Sequence, residues 1–316
     1  MTRIKLNSKA MQTVLAFSSL VLLLIIFTIA SPNFLIASNI TTILLMTAVN
    51  GILAVGITFI IVTGGIDLSA GTVMTFGSML TAIFISKLGA PIVVGILMGI
   101  LAGAFCGFLN GVTITKLGLP PFIATLGMMN VTKGLNLIVS NARPIYFPNA
   151  QKFATFATRP FFGVPVGVLI FFTCALIATF ILSKTIIGRY TYAIGSNEEA
   201  TRLSGISTDA WKIGIYAMSG AFFGLAGVVM VSRVSSAQPS IGAGYEMDAI
   251  SATVIGGASL AGGEGSILGT VIGAFIITVL TNGLRILSVP QEWQMVITGL
   301  IVIGAVYLDI VRRKVK

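Results

Sequence analysis

Long apolar runs alternate with short polar ones along almost the whole chain. A helix needs about 20 apolar residues to cross a bilayer at 1.5 Å per residue. Runs of roughly that kind fall at 11–30, 40–63, 71–86, 90–114, 121–140, 164–183, 213–232, 246–262, 266–286 and 294–309. The pattern predicts an all-α polytopic membrane protein with about ten transmembrane helices, forming one domain over residues 1–316. Arg3, Lys5 and Lys9 precede the first run, as in a signal peptide. The apolar stretch from Met11 to Ala30 is long, however, and lacks an Ala-x-Ala site, so an uncleaved first span is expected.

One long polar stretch interrupts the pattern, from Lys184 to Lys212. Within it, Ser196 with Glu199 three residues on fits a capping box, and Gly205 stands where a left-handed C-terminal cap would. A helix of about two turns follows. Glu198 and Glu199 suit its positive N-terminus, and Ala200 with Leu203 share one side, presenting a small apolar face to a partner outside the membrane.

Composition agrees with the spans: 56% of residues are hydrophobic, 9% are charged and the mean hydropathy is +1.03. The net charge of +10 follows topology, with no basic patch among aromatics that would suit nucleic acid. Three basic residues precede the first span, Lys116 stands alone, four lie in 184–212 and four follow Asp309, so twelve of the nineteen mark one face. With an even span count this predicts N-in, C-in. Lys87, Lys133, Arg143, Lys152, Arg159, Arg233 and Arg285 scatter elsewhere. Cys106 and Cys174 sit in apolar runs as small hydrophobes, and the chain has no His.

Glu199, Ala200, Thr201 and Gly205 resemble the EAA loop of ABC-transporter permeases, with Thr201 departing from the second Ala. Three further segments, Gly188–Ile206, "GGIDLSAG" (Gly64–Gly71) and Ser235–Gly265, are similar to the ribose-type sugar permeases, and the likeness runs from about Ser31 to the C-terminus. The resemblance implies an ABC importer permease of the bacterial cytoplasmic (inner) membrane. Its expected partners are a cytoplasmic ATPase, an extracytoplasmic sugar-binding protein, membrane lipid and a second copy of the chain. It implies coupling through 184–212, by Gly188, Arg189, Asn197, Glu199, Ala200 and Gly205. Docking of the binding protein falls to the outward segments 141–163 and 233–246, with Arg143, Arg233, Glu246 and Asp248 as candidates. Simple anchoring of helix ends is the alternative for each charge.

Gly95, Gly99, Gly103 and Gly107 recur every fourth residue and read as a packing face. Gly64, Gly65, Leu68 and Gly71 are echoed 192 residues later by Gly256, Gly257, Leu260 and Gly263. Both sets are expected to break a helix, either beside a passage or as tight cytoplasmic turns. Polar residues within spans are few. Asn50, Gly64, Gly65, Asp67, Ser69, Asn110, Asn130 and Asn282 are the candidates for lining a path suited to an uncharged hydroxylated cargo, with interhelical hydrogen bonding as the alternative for each amide. There is no nucleotide-binding G-x-x-x-x-G-K-[ST], no nucleophile constellation and no implied metal or cofactor. An ion-coupled sugar carrier would need mid-membrane carboxylates, for which Asp67 alone is a candidate; a non-transporting scaffold is the third class.

Overall fold

The computed structural model describes residues 8–314, with side chains from 13 to 301 and at 303, 304 and 307. Arg3, Lys5 and Lys316, used above to orient the chain, lie outside the described residues, as do the side chains of Lys9, Arg312, Arg313 and Lys314.

The chain opens with α1 (Ser8–Ala30) and α2 (Ala37–Val62). After a break, α3 (Ala70–Ala82) continues as a π-helical stretch through Lys87, followed by α4 (Ile92–Lys116) and α5 (Pro121–Ser140). A polar segment then carries β1 (Ile145–Tyr146), the single turn α6 (Gln151–Ala154) and a hairpin of β2 (Pro160–Phe161) with β3 (Val164–Pro165). Next come α7 (Val166–Lys184), α8 (Ile186–Ser196), α9 (Glu198–Leu203) and α10 (Thr208–Val234). The chain closes with β4 (Ser236–Ala237), α11 (Tyr245–Ile255), α12 (Ile267–Ile286) and α13 (Gln291–Lys314). Prolines set several starts. Pro91, Pro120 and Pro165 immediately precede α4, α5 and α7, where a missing N–H leaves no ladder bond unmade.

Eight helices among the described residues are long and apolar enough to cross a membrane: α1, α2, α3 with its π extension, α4, α5, α7, α10 and α12. The expected span at 246–262 is corrected. Its helix ends at Ile255, and Gly257, Gly262 and Gly263 adopt positive φ, so 256–266 is an irregular loop. α13 occupies the last expected run.

α2 is the hub. In its span 94% of residues are buried inside the protein, against 11% for α1 and 17% for α5. Ile52 and Ile57 of α2 join Met74, Phe171 and Phe223 from α3, α7 and α10 in the main core cluster. The predicted glycine stripe on α4 packs against α3 and its π extension at Gly95 and Gly99, and against α10 at Gly103 and Gly107. A Cβ at Gly103 or Gly107 would collide with the carbonyl of Gly220 or Tyr216. Such close backbone approach supplies the dispersion contact that apolar burial cannot supply between helices in lipid.

The bundle has two recognisable ends. At one, β1 pairs antiparallel with β4, and Ser86 donates to the Tyr146 carbonyl. At the other, Lys116 and Asp209 form an ion pair of 3.2 Å beside α8 and α9.

Candidate coupling and translocation sites

α9 is a short helix held out from the bundle. Its N-cap is Asn197, whose side-chain oxygen accepts from the Ala200 N–H at 2.9 Å, while Ser196 ends α8. The capping box at Ser196 and Glu199 is therefore corrected: Asn197 has the extended backbone and the acceptor geometry a cap needs. Gly205 adopts φ +83°, the left-handed conformation expected after the helix. Glu198 pairs with Lys212 and Arg202, which clamps α9 to the start of α10. Ala200 is exposed, and Leu203 is 83% exposed, an apolar side chain that nothing among the described residues covers.

α8 connects this helix to the membrane domain. Gly188 lies against the Leu182 carbonyl, closing the corner between α7 and α8, and Tyr190 meets Trp211 of α10 edge-on at 4.8 Å. Arg189 is exposed. Tyr192 donates to the Gly265 carbonyl at 2.7 Å; burial pushes this phenol's pKa up, which keeps it a neutral donor.

The two glycine breaks meet each other. The Gly263 N–H donates to the Val62 carbonyl at 2.9 Å, and a Cβ at Gly262 would lie 3.0 Å from the Gly64 nitrogen. Both pack on the last turn of α8, where a Cβ at Gly195 would strike the Val62 carbonyl and the Gly263 nitrogen. Gly64 has φ +83°, and a Cβ at Gly65 would strike the Tyr216 hydroxyl. Both breaks are joined to the segment that carries α9, and the first also packs on Tyr216 of α10 and Asn110 of α4.

The polar residues of the first break serve the fold. Asp67 is 1% exposed; its carboxylate accepts from the Ser69 N–H (2.7 Å) and hydroxyl (2.6 Å), with Asn110 donating to Ser69 at 3.0 Å. Lys116 pairs with Asp209. Asn282 and Asn39 exchange two buried amide bonds of 3.1 and 2.9 Å, tying α12 to α2. Asn50 is buried in α2. Of the candidate path amides, Asn130 alone is exposed. The structure thus places Asn50, Asp67, Ser69, Asn110 and Asn282 inside the protomer, where they bond or pack helices together.

Polarity reaches membrane depth elsewhere, through a segment that the sequence suggested was an outer rim. β4 lies beside β1 and Ser86, yet the Gly242 N–H donates to Thr75 at 3.0 Å. Thr75 and Ser86 lie on one helical stretch, so the chain from Ser236 to Gly242 descends about 16 Å along α3. It brings Glu246 and Asp248, half-buried in the first turn of α11, to the level of the start of α3. A Cβ at Gly71 would collide with Glu246 Oε2 and the Gly242 carbonyl. Arg143 and Arg233, by contrast, stay near the β1–β4 end, Arg143 exposed and Arg233 half-buried. The expectation of Glu246 and Asp248 on the rim is corrected by this descent. Lys133 of α5 also lies at this depth, beside Thr132, which donates to Thr72 at 2.7 Å. The sequence offered only Lys133's position within a span as a signal for this group.

Residues 39–306 match the family described as the branched-chain amino acid transport system permease component. The chain belongs to that permease family. Among its relatives, the ribose import permease protein RbsC of Bacillus subtilis is 43% identical over 95% of this chain and 93% of its own length. RbsC of Haemophilus influenzae is 41% identical over 93% and 92%. The fructose import permease protein FrcC of Rhizobium meliloti is 36% identical over 94% and 84%. No solved structure matches. The family and the eight apolar helices make this a multi-pass permease of the bacterial cytoplasmic membrane, the membrane component of an ABC importer that works with an ATPase and a substrate-binding protein.

Proposed function

We propose that this permease imports a monosaccharide, ribose or a similar sugar, delivered by an extracytoplasmic binding protein and driven by ATP hydrolysis in a separate subunit. The family's description mentions branched-chain amino acids, but relatives aligned over nearly the whole chain are named for ribose and fructose. The observation that carries the mechanism is α9, a capped helix with the uncovered Leu203 at its end, rooted through α8 in both glycine breaks. On this reading α9 and its flanks, Gly188 to Gly205, form the cytoplasmic coupling element, and the chain is oriented N-in, C-in. ATP-driven movement of α9 would pull on Val62 and Gly263 together through Gly195, shifting α2, α3 and α12 as a set. One α9 per chain fits one ATPase each, which favours a homodimer with the passage between protomers. Arg143, Arg233 and the exposed β2–β3 hairpin face the binding protein. Catalysis belongs to the ATPase; no residue of this chain is assigned a chemical step.

Uptake of labelled pentoses and hexoses by cells lacking this chain, with and without its restoration, tests the cargo. Restoration should recover uptake of one monosaccharide or a narrow group of them. Recovery of branched-chain amino acid uptake, with no sugar affected, would contradict the assignment.

A further inference from the structure

α5 carries an uncovered face that does not suit lipid. Lys133 is exposed about 18 Å from the first residue of the helix and about 10 Å from its last, near the middle of the span. Asn130, one turn earlier, is exposed as well. A Cβ at Gly127 or at Gly134 would meet nothing within 4 Å, so this surface is open in the protomer. Lys133 follows Thr132, which bonds Thr72 of α3, and Glu246 packs on the neighbouring Gly71, so the two side chains flank the same turn of α3. Glu246 is fixed from behind. One carboxylate oxygen accepts from the Gly244 N–H at 3.2 Å, while the other is buried against Gly71 with no hydrogen-bond partner. Charged side chains exposed at membrane depth belong in a water-filled cavity or a protein contact, since hydrocarbon solvates neither sign.

Resting on the importer reading above, we propose that Lys133 of α5 with Glu246 and Asp248 of α11 line a water-filled passage at mid-membrane, completed by a second copy of this chain, and exchange hydrogen bonds with the hydroxyl groups of the passing sugar. An ammonium donates and carboxylates accept, so the group meets both faces of a hydroxyl without requiring charge on the cargo. The descending segment 236–244 exists, on this account, to bring the start of α11 to the level of Lys133.

Cysteine accessibility tests this, because Cys106 and Cys174 are both buried. Lys133→Cys, Asp248→Cys and Asn130→Cys are treated, in membranes carrying the assembled importer, with a charged, membrane-impermeant methanethiosulfonate. Val131→Cys is the reference: Val131 is 55% exposed at the same depth and about 200° around α5 from Lys133. The three cysteines should react at least tenfold faster than the reference, and binding protein loaded with sugar should slow them. Rates equal to the reference at all three overturn the passage, and fast labelling indifferent to loaded binding protein overturns the sugar contact. Failure of the importer reading is a different result, namely wild-type uptake that needs neither ATPase nor binding protein.

Discussion

Single residues show how one amino-acid type takes different work in one membrane protein. Asn282 and Asn39 satisfy each other, Asn110 supports Ser69, Asn197 caps α9, and Asn130 is exposed. Nothing in the local sequence separates the roles of Asn39, Asn110 and Asn282, since each sits among apolar residues and bonds a side chain from a distant segment. That is why a list of intramembrane amides overstated the passage. Removing one member of the Asn39–Asn282 pair strands the other in the core, which costs about 1–3 kcal/mol, whereas replacing both by apolar residues of similar shape is nearly neutral. Asn282→Leu alone should therefore lower thermal stability in detergent, and Asn39→Leu with Asn282→Leu should restore part of it while retaining sugar uptake, the remainder being the loss of the bond from Asn39 to the buried Phe34 carbonyl. Loss of uptake in a stable, well-inserted double variant would put the pair back in the transport path.

Elements were the most legible level. Apolar runs located eight membrane helices within a few residues, and the fourfold spacing from Gly95 to Gly107 correctly marked a packing face. The short helix α9 was placed but not its cap, because Ser196 and Asn197 are both good N-cap residues and only the backbone turn decides between them. Asn197→Ala should weaken α9 by about 0.5–2 kcal/mol and reduce recovery of the ATPase with the purified permease, while Ser196→Ala should leave recovery unchanged. The reverse ranking would restore Ser196 as the cap. The segment 236–244 was misjudged for a physical reason. Its Ser, Gln, Pro and Gly content is that of a surface loop, and its descent depends on Thr75 and Gly71, which lie far away in sequence. Orientation can be checked at the same scale. A phosphatase active only outside the cytoplasm should be active when fused after Ala150 and silent after Asp209 or Gly263; activity at either of the latter sites would reverse the orientation or change the span count.

At the scale of the whole molecule, the arrangement divides labour between two ends of one bundle. One end gathers α9, α8 and both glycine breaks into one joint, while segment 236–244 carries polar groups down from the opposite end. The chain belongs to a permease family, and on the proposed function sugar moves through it only when ATP is hydrolysed by a partner docked on α9. Reconstitution measures this most directly. Proteoliposomes containing this chain with its ATPase, supplied with the binding protein and labelled sugar, should accumulate sugar only when ATP is present on the α9 side. Accumulation driven by an ion gradient through the chain alone, without ATPase or ATP, would contradict the account.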